Sequence, residues 1–168
     1  MPLMIKVITG NGAGKTTSAL GTALRALGHG KKVVVIQFLK GRKNIGEYKF
    51  QKIVKNFKLF QFGRKEFIDL KNPTRKDKEL AIYGLEFAKK ILKEKPFLIV
   101  LDEINLASHI GLVDKEKVIE FLKKLPKNVN VILTGRYAPD EFKKIADVVV
   151  VVEELKRKRK KAIRGIEY

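Results

Sequence analysis

At 168 residues the chain has room for one domain with a substantial core, and 45% hydrophobic with 33% charged residues excludes a disordered chain. The absence of cysteine excludes disulfides, thiolate zinc sites, iron–sulfur clusters and cysteine nucleophiles. No apolar run approaches the roughly 20 residues that cross a bilayer, and a net charge of +19 calls for a polyanionic partner, an acidic partner or a heavily solvated surface.

The elements alternate along the chain. Ile5–Ile8 is a short apolar strand that runs into a glycine-rich turn, Thr9–Gly14. The N-terminal Met1-Pro2-Leu3-Met4-Ile5-Lys6 has no signal-peptide layout, because its apolar stretch leads straight into that strand, and the cytoplasm is the expected compartment. Lys15–Leu27 follows as a helix with Ala19, Ala23, Ala26 and Leu27 at helical spacing, stopped by Gly28 and Gly30. Val33–Ile36 is an unbroken β-branched run, the pattern of a strand buried on both faces. Residues 40–56 are polar and give no clear pattern, and Phe57–Phe62 is a further strand.

Thr74, with Asp77 three residues on, forms a capping box. The helix it opens carries Leu80, Tyr83, Phe87, Ala88 and Ile91 on one stripe. Phe97–Leu101 is a buried strand ending in Asp102-Glu103. Asp114 caps a helix bearing Val118, Phe121, Leu122 and Leu125. Val129–Leu133 is a strand ending in Thr134-Gly135-Arg136. Pro139 opens a short helix at its first position, and Val148–Val152 is the last strand.

Strand–helix alternation predicts an α/β fold: a mainly parallel sheet covered on both faces, a three-layer arrangement of the P-loop NTPase (RecA-like) kind, formed by residues 1–168 as one domain. Ligands of such sheets bind beyond the carboxyl ends of the strands. Those ends carry Thr9–Thr16, Gln37, Asp102-Glu103 and Thr134–Arg136, so the chemically interesting clusters share one edge.

Thr9-Gly10-Asn11-Gly12-Ala13-Gly14-Lys15-Thr16-Thr17 reads as a phosphate-binding loop. Glycines let successive backbone N–H groups curl round phosphate oxygens, and the helix that follows points its positive end at them. Lys15 supplies a point charge to ATP phosphates and Thr16 a hydroxyl for magnesium, or manganese in its place. The first glycine of the usual G-x-x-x-x-G-K-[ST] pattern is displaced here, from Thr9 to Gly10. Asp102 and Glu103 complete the metal site; Glu103 reads equally as a hydrolytic base or a holder of water. Arg136 lies where it can stabilise charge on a leaving phosphate chain. His29, between two glycines, suits a helix C-terminus, and the lone His109 reads as structural.

The charge is uneven. Residues 40–78 hold 13 Lys/Arg against 4 Asp/Glu, a net +9, and Lys156-Arg157-Lys158-Arg159-Lys160-Lys161 adds six positive charges. A solvated surface, a nucleic-acid face and a surface for an acidic protein all fit that pattern.

Taken in order, the clusters resemble the P-loop corrinoid adenosyltransferase family, which makes adenosylcobalamin from ATP. The matching segments are Thr9–Thr17, Gly28-His-Gly-Lys31, Val35-Ile-Gln-Phe-Leu-Lys-Gly41, Gly46-Glu47, Leu101-Asp-Glu-Ile-Asn105, Val131-Ile-Leu-Thr-Gly-Arg136 and Gly165-Ile-Glu-Tyr168. Where the family often carries Gly-Phe-Thr-Trp before the central helix, this chain reads Gly63-Arg-Lys-Glu-Phe67-Ile-Asp69 and has no Trp. Phe67 best matches the first of those aromatics. The resemblance implies that Co(I) of a reduced corrinoid attacks the ribose C5′ of ATP and triphosphate leaves. Lys15 and Arg136 are then the catalytic residues, Phe67 lies on the corrinoid side, and ATP and corrinoid are the substrates. A homodimer and an acidic electron-donor protein are the expected partners, with no membrane involved. The alternative is a P-loop ATPase or regulatory module that binds nucleic acid through residues 40–78 and the basic tail.

Overall fold

The computed structural model describes residues 4–168; Met1–Leu3, the start of the segment considered above as a leader, lie outside them. Six strands form one sheet: β1 (Ile5–Thr9), β2 (Val33–Phe38), β3 (Phe57–Phe62), β4 (Leu98–Asp102), β5 (Asn130–Thr134) and β6 (Val148–Val151). Their order across the sheet is β3-β2-β4-β5-β1-β6, and every pairing is parallel. Among the described residues no helix is long and apolar enough to cross a membrane.

Side chains alternate across each strand and so feed two cores. Val33 and Val35 point to one face with Ile8, Val100 and Ile132, under α1 (Lys15–Gly28). The buried stripe of α1 is Ala19, Ala23 and Ala26, whose small side chains let the helix lie close on the sheet. Beside it on this face, Tyr48 and Phe50 of the short α2 (Gly46–Phe50) pack within the segment that had no clear pattern in sequence. Val34, Ile36 and Phe38 point the other way, under α3 (Arg75–Ile91), α4 (Ile104–His109), α5 (Lys115–Lys123) and α6 (Asp140–Ile145). This is the three-layer arrangement expected.

Three expectations need correction. The buried stripe of α3 is Asp77, Ala81, Gly84, Leu85, Ala88 and Ile91, whereas Tyr83 is exposed. The helix presents small residues to the sheet because it approaches closely: a Cβ on Gly84 would stand 2.8 Å from Phe38. Pro139 is the N-cap of α6 and not its first residue, and Asp140 and Glu141 hold the first turn. Helix α4 was not foreseen, since its N-cap, Glu103, makes no side-chain capping bond and adopts a left-handed backbone at φ +63°. The caps at Thr74 and Asp114 form as expected, the first as a complete capping box.

Candidate active site

The carboxyl ends of β1, β2, β4 and β5 meet over one cleft, and the parallel register explains why. Gln37 pairs with Asp102, Leu101 with Leu133 and Ile8 with Thr134, so the strands end nearly level. The cleft, of about 770 Å³, is lined at one end by Ala13–Thr17, Lys40 and Glu103. At the other it is lined by Leu20, Leu24 and Leu27 of α1 and by Phe50 and Phe57. Gly165–Tyr168 return after the exposed basic run to close one wall. One end is therefore polar and charged; beyond it the lining combines these apolar side chains with Glu47, Arg157 and Glu167.

The displaced glycine of the loop has a steric cause. Gly10 sits at φ +105°, and a Cβ there would stand 2.3 Å from the carbonyl oxygen of Val152, just past β6. Two backbone bonds make that contact: Val152 N donates to Thr9 O (2.8 Å) and Gly12 N to Val152 O (2.9 Å). Thr9 is buried, and its hydroxyl accepts from Ala138 N at 3.1 Å, tying the loop to the segment after β5. Asn11, Ala13, Gly14 and Thr17 are exposed along the loop. Lys15 is buried and donates to Gly12 O at 2.5 Å. Burial lowers its pKa, and the nearby Arg136 and Lys40 lower it further against the opposing effect of Glu103.

Asp102 is the hub. It is fully buried. Oδ1 accepts from Thr134 Oγ1 (2.6 Å) and Thr16 Oγ1 (2.8 Å); Oδ2 accepts from Lys40 Nζ (2.7 Å) and Gln37 Nε2 (3.1 Å). Burial by itself would raise its pKa, but the Lys40 charge and the bonds from Lys40, Thr134 and Thr16 outweigh burial and hold the carboxyl below its usual range. Lys40 responds reciprocally: burial opposes its charge, yet Asp102 and Glu103 hold its pKa above the ordinary value. Glu103 lies beside this pair. Its backbone N–H donates to Thr134 Oγ1 at 3.1 Å, while its Oε2 is buried with no hydrogen-bond partner. Burial and the Asp102 charge raise its pKa.

The structure thus brings together Lys15, Thr16, Asp102, Glu103 and Arg136, whose charge is felt at both Lys15 and Glu103. It does not bring Phe67 to them. Phe67 is 84% exposed, does not line the cleft, and stacks on the Arg42 guanidinium at 4.0 Å. His109 is exposed at the end of α4 and stacks on Tyr137, and His29 is the C-cap of α1.

Three site residues were missed as such. Lys40 figures in sequence only in the basic segment and in the family-like stretch Val35–Gly41, with no role of its own, although it lies two residues past β2 at the strand-end edge. Glu47 lines the cleft and accepts weakly from Gln37 at 3.4 Å. Asn105 is fully buried and donates to Ile8 O and Gly135 O, both at 3.1 Å, so it pins the ends of β1 and β5 together.

A family model described as ATP:corrinoid adenosyltransferase BtuR/CobO/CobP matches residues 3–168. The chain belongs to the ATP:corrinoid adenosyltransferase family. The corrinoid adenosyltransferase of a Sinorhizobium species is 33% identical over 98% of this chain and 80% of its own length. That of Pseudomonas aeruginosa is 32% identical over 98% and 83%. The corrinoid adenosyltransferase CobA of Salmonella typhimurium is 35% identical over 98% and 85%. Among solved structures, a KaiC-like protein of Pyrococcus horikoshii matches with a TM-score of 0.60 at 19% identity, over 92% of this chain and 74% of that one; this likeness bears on the fold alone. The activity is ATP:corrinoid adenosyl transfer, with ATP and a corrinoid as substrates, in place of the nucleic-acid-dependent ATPase.

Proposed function

We propose that the chain works as one P-loop domain that holds the triphosphate of ATP at the polar end of the cleft while Co(I) of a reduced corrinoid attacks ribose C5′. The cobalt electron pair forms the Co–C5′ bond, the C5′–O bond breaks with its electrons on oxygen, and triphosphate departs. The observation that carries this reading is that Lys15, Thr16 and Glu103 line one end of a cleft with apolar side chains along α1 beyond them, with Asp102 bonded to Thr16 and the Arg136 charge close behind.

Co(I) is itself a strong nucleophile, so the protein has to supply alignment and a preorganised positive cradle. Residues Thr9 to Thr17 wrap the phosphates, through loop N–H groups and the start of α1. Lys15 leaves Gly12 O and binds a phosphate oxygen. Arg136, for which no ion pair is found among the described residues, meets the charge that grows on the bridging oxygen as the bond breaks.

Mg2+ or Mn2+ would be held by Thr16, Asp102 and Glu103. Its fit is supported by the all-oxygen donor set, by the unpartnered buried Oε2 of Glu103 and by the ammonium that Asp102 already accommodates. Among the described residues no group of three His or carboxylate side chains forms a cage, so substrate phosphates and water would complete the site. When bound, such an ion neutralises charge on the phosphates.

Phe67 is assigned to the corrinoid side, where its exposed ring, stacked on Arg42, would meet the corrinoid. The chain acts in the cytoplasm as a homodimer, which sedimentation would test, and the basic residues of 40–78 receive an acidic electron donor. The deciding experiment mixes chain, ATP, magnesium and chemically reduced cobalamin and follows the corrinoid absorbance together with released triphosphate. Stoichiometric triphosphate that appears only with Co(I), and vanishes with Lys15→Ala, is expected. Orthophosphate release independent of corrinoid would refute the proposal.

A further inference from the structure

Asp102 has no free acceptor position. A carboxylate offers about four lone-pair sites, and four donors occupy them: Thr134, Thr16, Lys40 and Gln37. A divalent cation that ligates Asp102 must therefore displace a donor. Thr134 is fully buried in β5 and also accepts from Glu103 N at 3.1 Å. Gln37 is fully buried in β2 and is held from behind by Gln61, whose Nε2 donates to Gln37 Oε1 at 3.0 Å. Thr16 can keep its O–H on Asp102 while its lone pair serves a metal.

Lys40 differs from all three. It lies in the loop after β2, its side chain is 31% exposed, and it ends a flexible four-carbon stem that lines the cleft. Its Nζ touches both Asp102 Oδ2, at 2.7 Å, and Thr16 Oγ1, at 3.2 Å. One departure would free the carboxylate oxygen and the hydroxyl lone pair together.

We propose that Lys40 is a resident counter-cation: in the metal-free protein its ammonium occupies the divalent-cation position on Asp102 and Thr16, and loading the site displaces it into the cleft. The inference rests on the reading of Thr16, Asp102 and Glu103 as metal ligands. It assigns to one lysine both the stability of the empty site and a barrier against free metal. Without an occupant, Asp102 would be a buried carboxylate lacking its positive partner, which is strongly destabilising. With Lys40 in place, metal alone binds weakly. Metal arriving with ATP binds well, because the phosphates supply further ligands and a new partner for the displaced ammonium.

The backbone around Lys40 keeps it there. Gly63 passes so close that a Cβ on it would stand 2.3 Å from Lys40 N, and a Cβ on Gly41 would stand 2.3 Å from Gly63 O. The Gly63–Arg64 segment is clamped in turn by Arg64, which donates to Asp77 Oδ1 at 2.7 Å and Oδ2 at 3.0 Å. The loop is thus fixed while the side chain keeps its freedom.

The test uses the full chain and Mn2+ as probe, titrated by the loss of free-ion paramagnetic resonance with and without ATP, alongside melting curves in chelator and in Mn2+. Lys40→Met should bind Mn2+ alone about tenfold or more tightly than wild type, because the competing cation is gone. It should melt roughly 6–20 °C lower in chelator and recover most of that loss in Mn2+. The double variant Lys40→Met with Asp102→Asn removes both charges. It should melt well above the single variant in chelator and show no Mn2+ response, which separates lost charge pairing from a general folding defect. Equal nucleotide-free Mn2+ affinity in wild type and Lys40→Met, or a melting loss that Mn2+ does not restore, overturns the inference while leaving the metal site standing. Failure of wild type to retain Mn2+ even with ATP overturns the metal site, and the inference with it.

Discussion

Alanine placed separately at Gly10 and Gly14 separates two reasons for a glycine in the loop. Both lie at a similar positive φ, +105° at Gly10 and +108° at Gly14, so each variant suffers a positive-φ penalty, roughly 1–2 kcal/mol. The surroundings differ. A Cβ on Gly14 meets only Thr17 Oγ1, at 3.7 Å, which is ordinary contact. A Cβ on Gly10 would lie 2.3 Å from Val152 O and 2.8 Å from Val152 N, and both atoms are backbone. Relief means moving the end of β6 away and disturbing the two bonds that Val152 makes to Thr9 and Gly12. Overpacking of this kind costs about 1–3 kcal/mol more. In a chain of this size 1 kcal/mol moves the melting temperature by about 2–4 °C. Gly14→Ala should therefore melt about 2–8 °C below wild type, and Gly10→Ala a further ~2–12 °C lower. Calorimetric melting measures both, and ATP titration should show Gly10→Ala the weaker binder wherever both are folded. Equal melting temperatures would refute the claim that contact with β6 is what requires glycine at position 10.

If Arg136 meets charge that develops as triphosphate leaves, as proposed, Arg136→Ala should lower kcat by about 10²-fold or more while ATP affinity changes little; a loss confined to ATP affinity would make Arg136 a ground-state binder. Phe67→Ala should leave the melting temperature almost unchanged, because the ring is 84% exposed. If the ring excludes an axial ligand that stabilises Co(II) over Co(I), because a ligand oxygen there would be desolvated without a partner, turnover from Co(II) with a protein reductant should fall sharply in that variant while turnover from pre-reduced Co(I) survives; equal losses would refute that role. Asp77 has its carboxyl lowered to about 2, chiefly by the Arg64 hydrogen bond, against 3.8 ordinarily. A folded-state pKa below the unfolded one means stability that is present above about pH 4 and lost as the pH falls through 2. The melting gap between wild type and Arg64→Met should therefore be constant above pH 4 and close toward pH 2, and a gap independent of pH would exclude the pair as its cause. Turnover driven by an acidic donor protein should slow steeply with added salt while turnover from chemically reduced substrate does not; parallel salt profiles would argue against steering.

Much of the fold was legible because local rules and tertiary packing agree. The Thr74–Asp77 capping box is written in adjacent residues and forms as read. The β-branched run from Val33 lies in an interior strand, buried along its length. The similar run from Val148 lies at the sheet edge with three of its four residues exposed, and nothing local distinguishes the two. Strand order, which decides that difference, comes from which segments pack together and leaves no mark on either run. The face of α3 was misread for a related reason. Bulk marks a core stripe in sequence, but this helix approaches the sheet at Gly84, so small residues face inward and Tyr83 flanks them.

The candidate site was legible only as a place, since parallel strands bring their carboxyl ends to one edge wherever they fall in the order. Lys40 escaped because counting charge treats a solvated lysine and a counter-ion alike. Only the register that sets Gln37 opposite Asp102 places the residues after β2 beside the carboxylate. Around Glu103 the protein gathers Lys15, Lys40 and Arg136 against Asp102 and Glu103 itself, three positive charges to two negative. Of the three, Lys15 is lowered by burial, while Lys40 is engaged by Asp102. A polyanion that enters this edge therefore meets one charge already bound and others whose full worth waits for it. The excess of basic residues elsewhere on the chain can draw such a ligand in, while burial magnifies each interaction that these few groups would make with it.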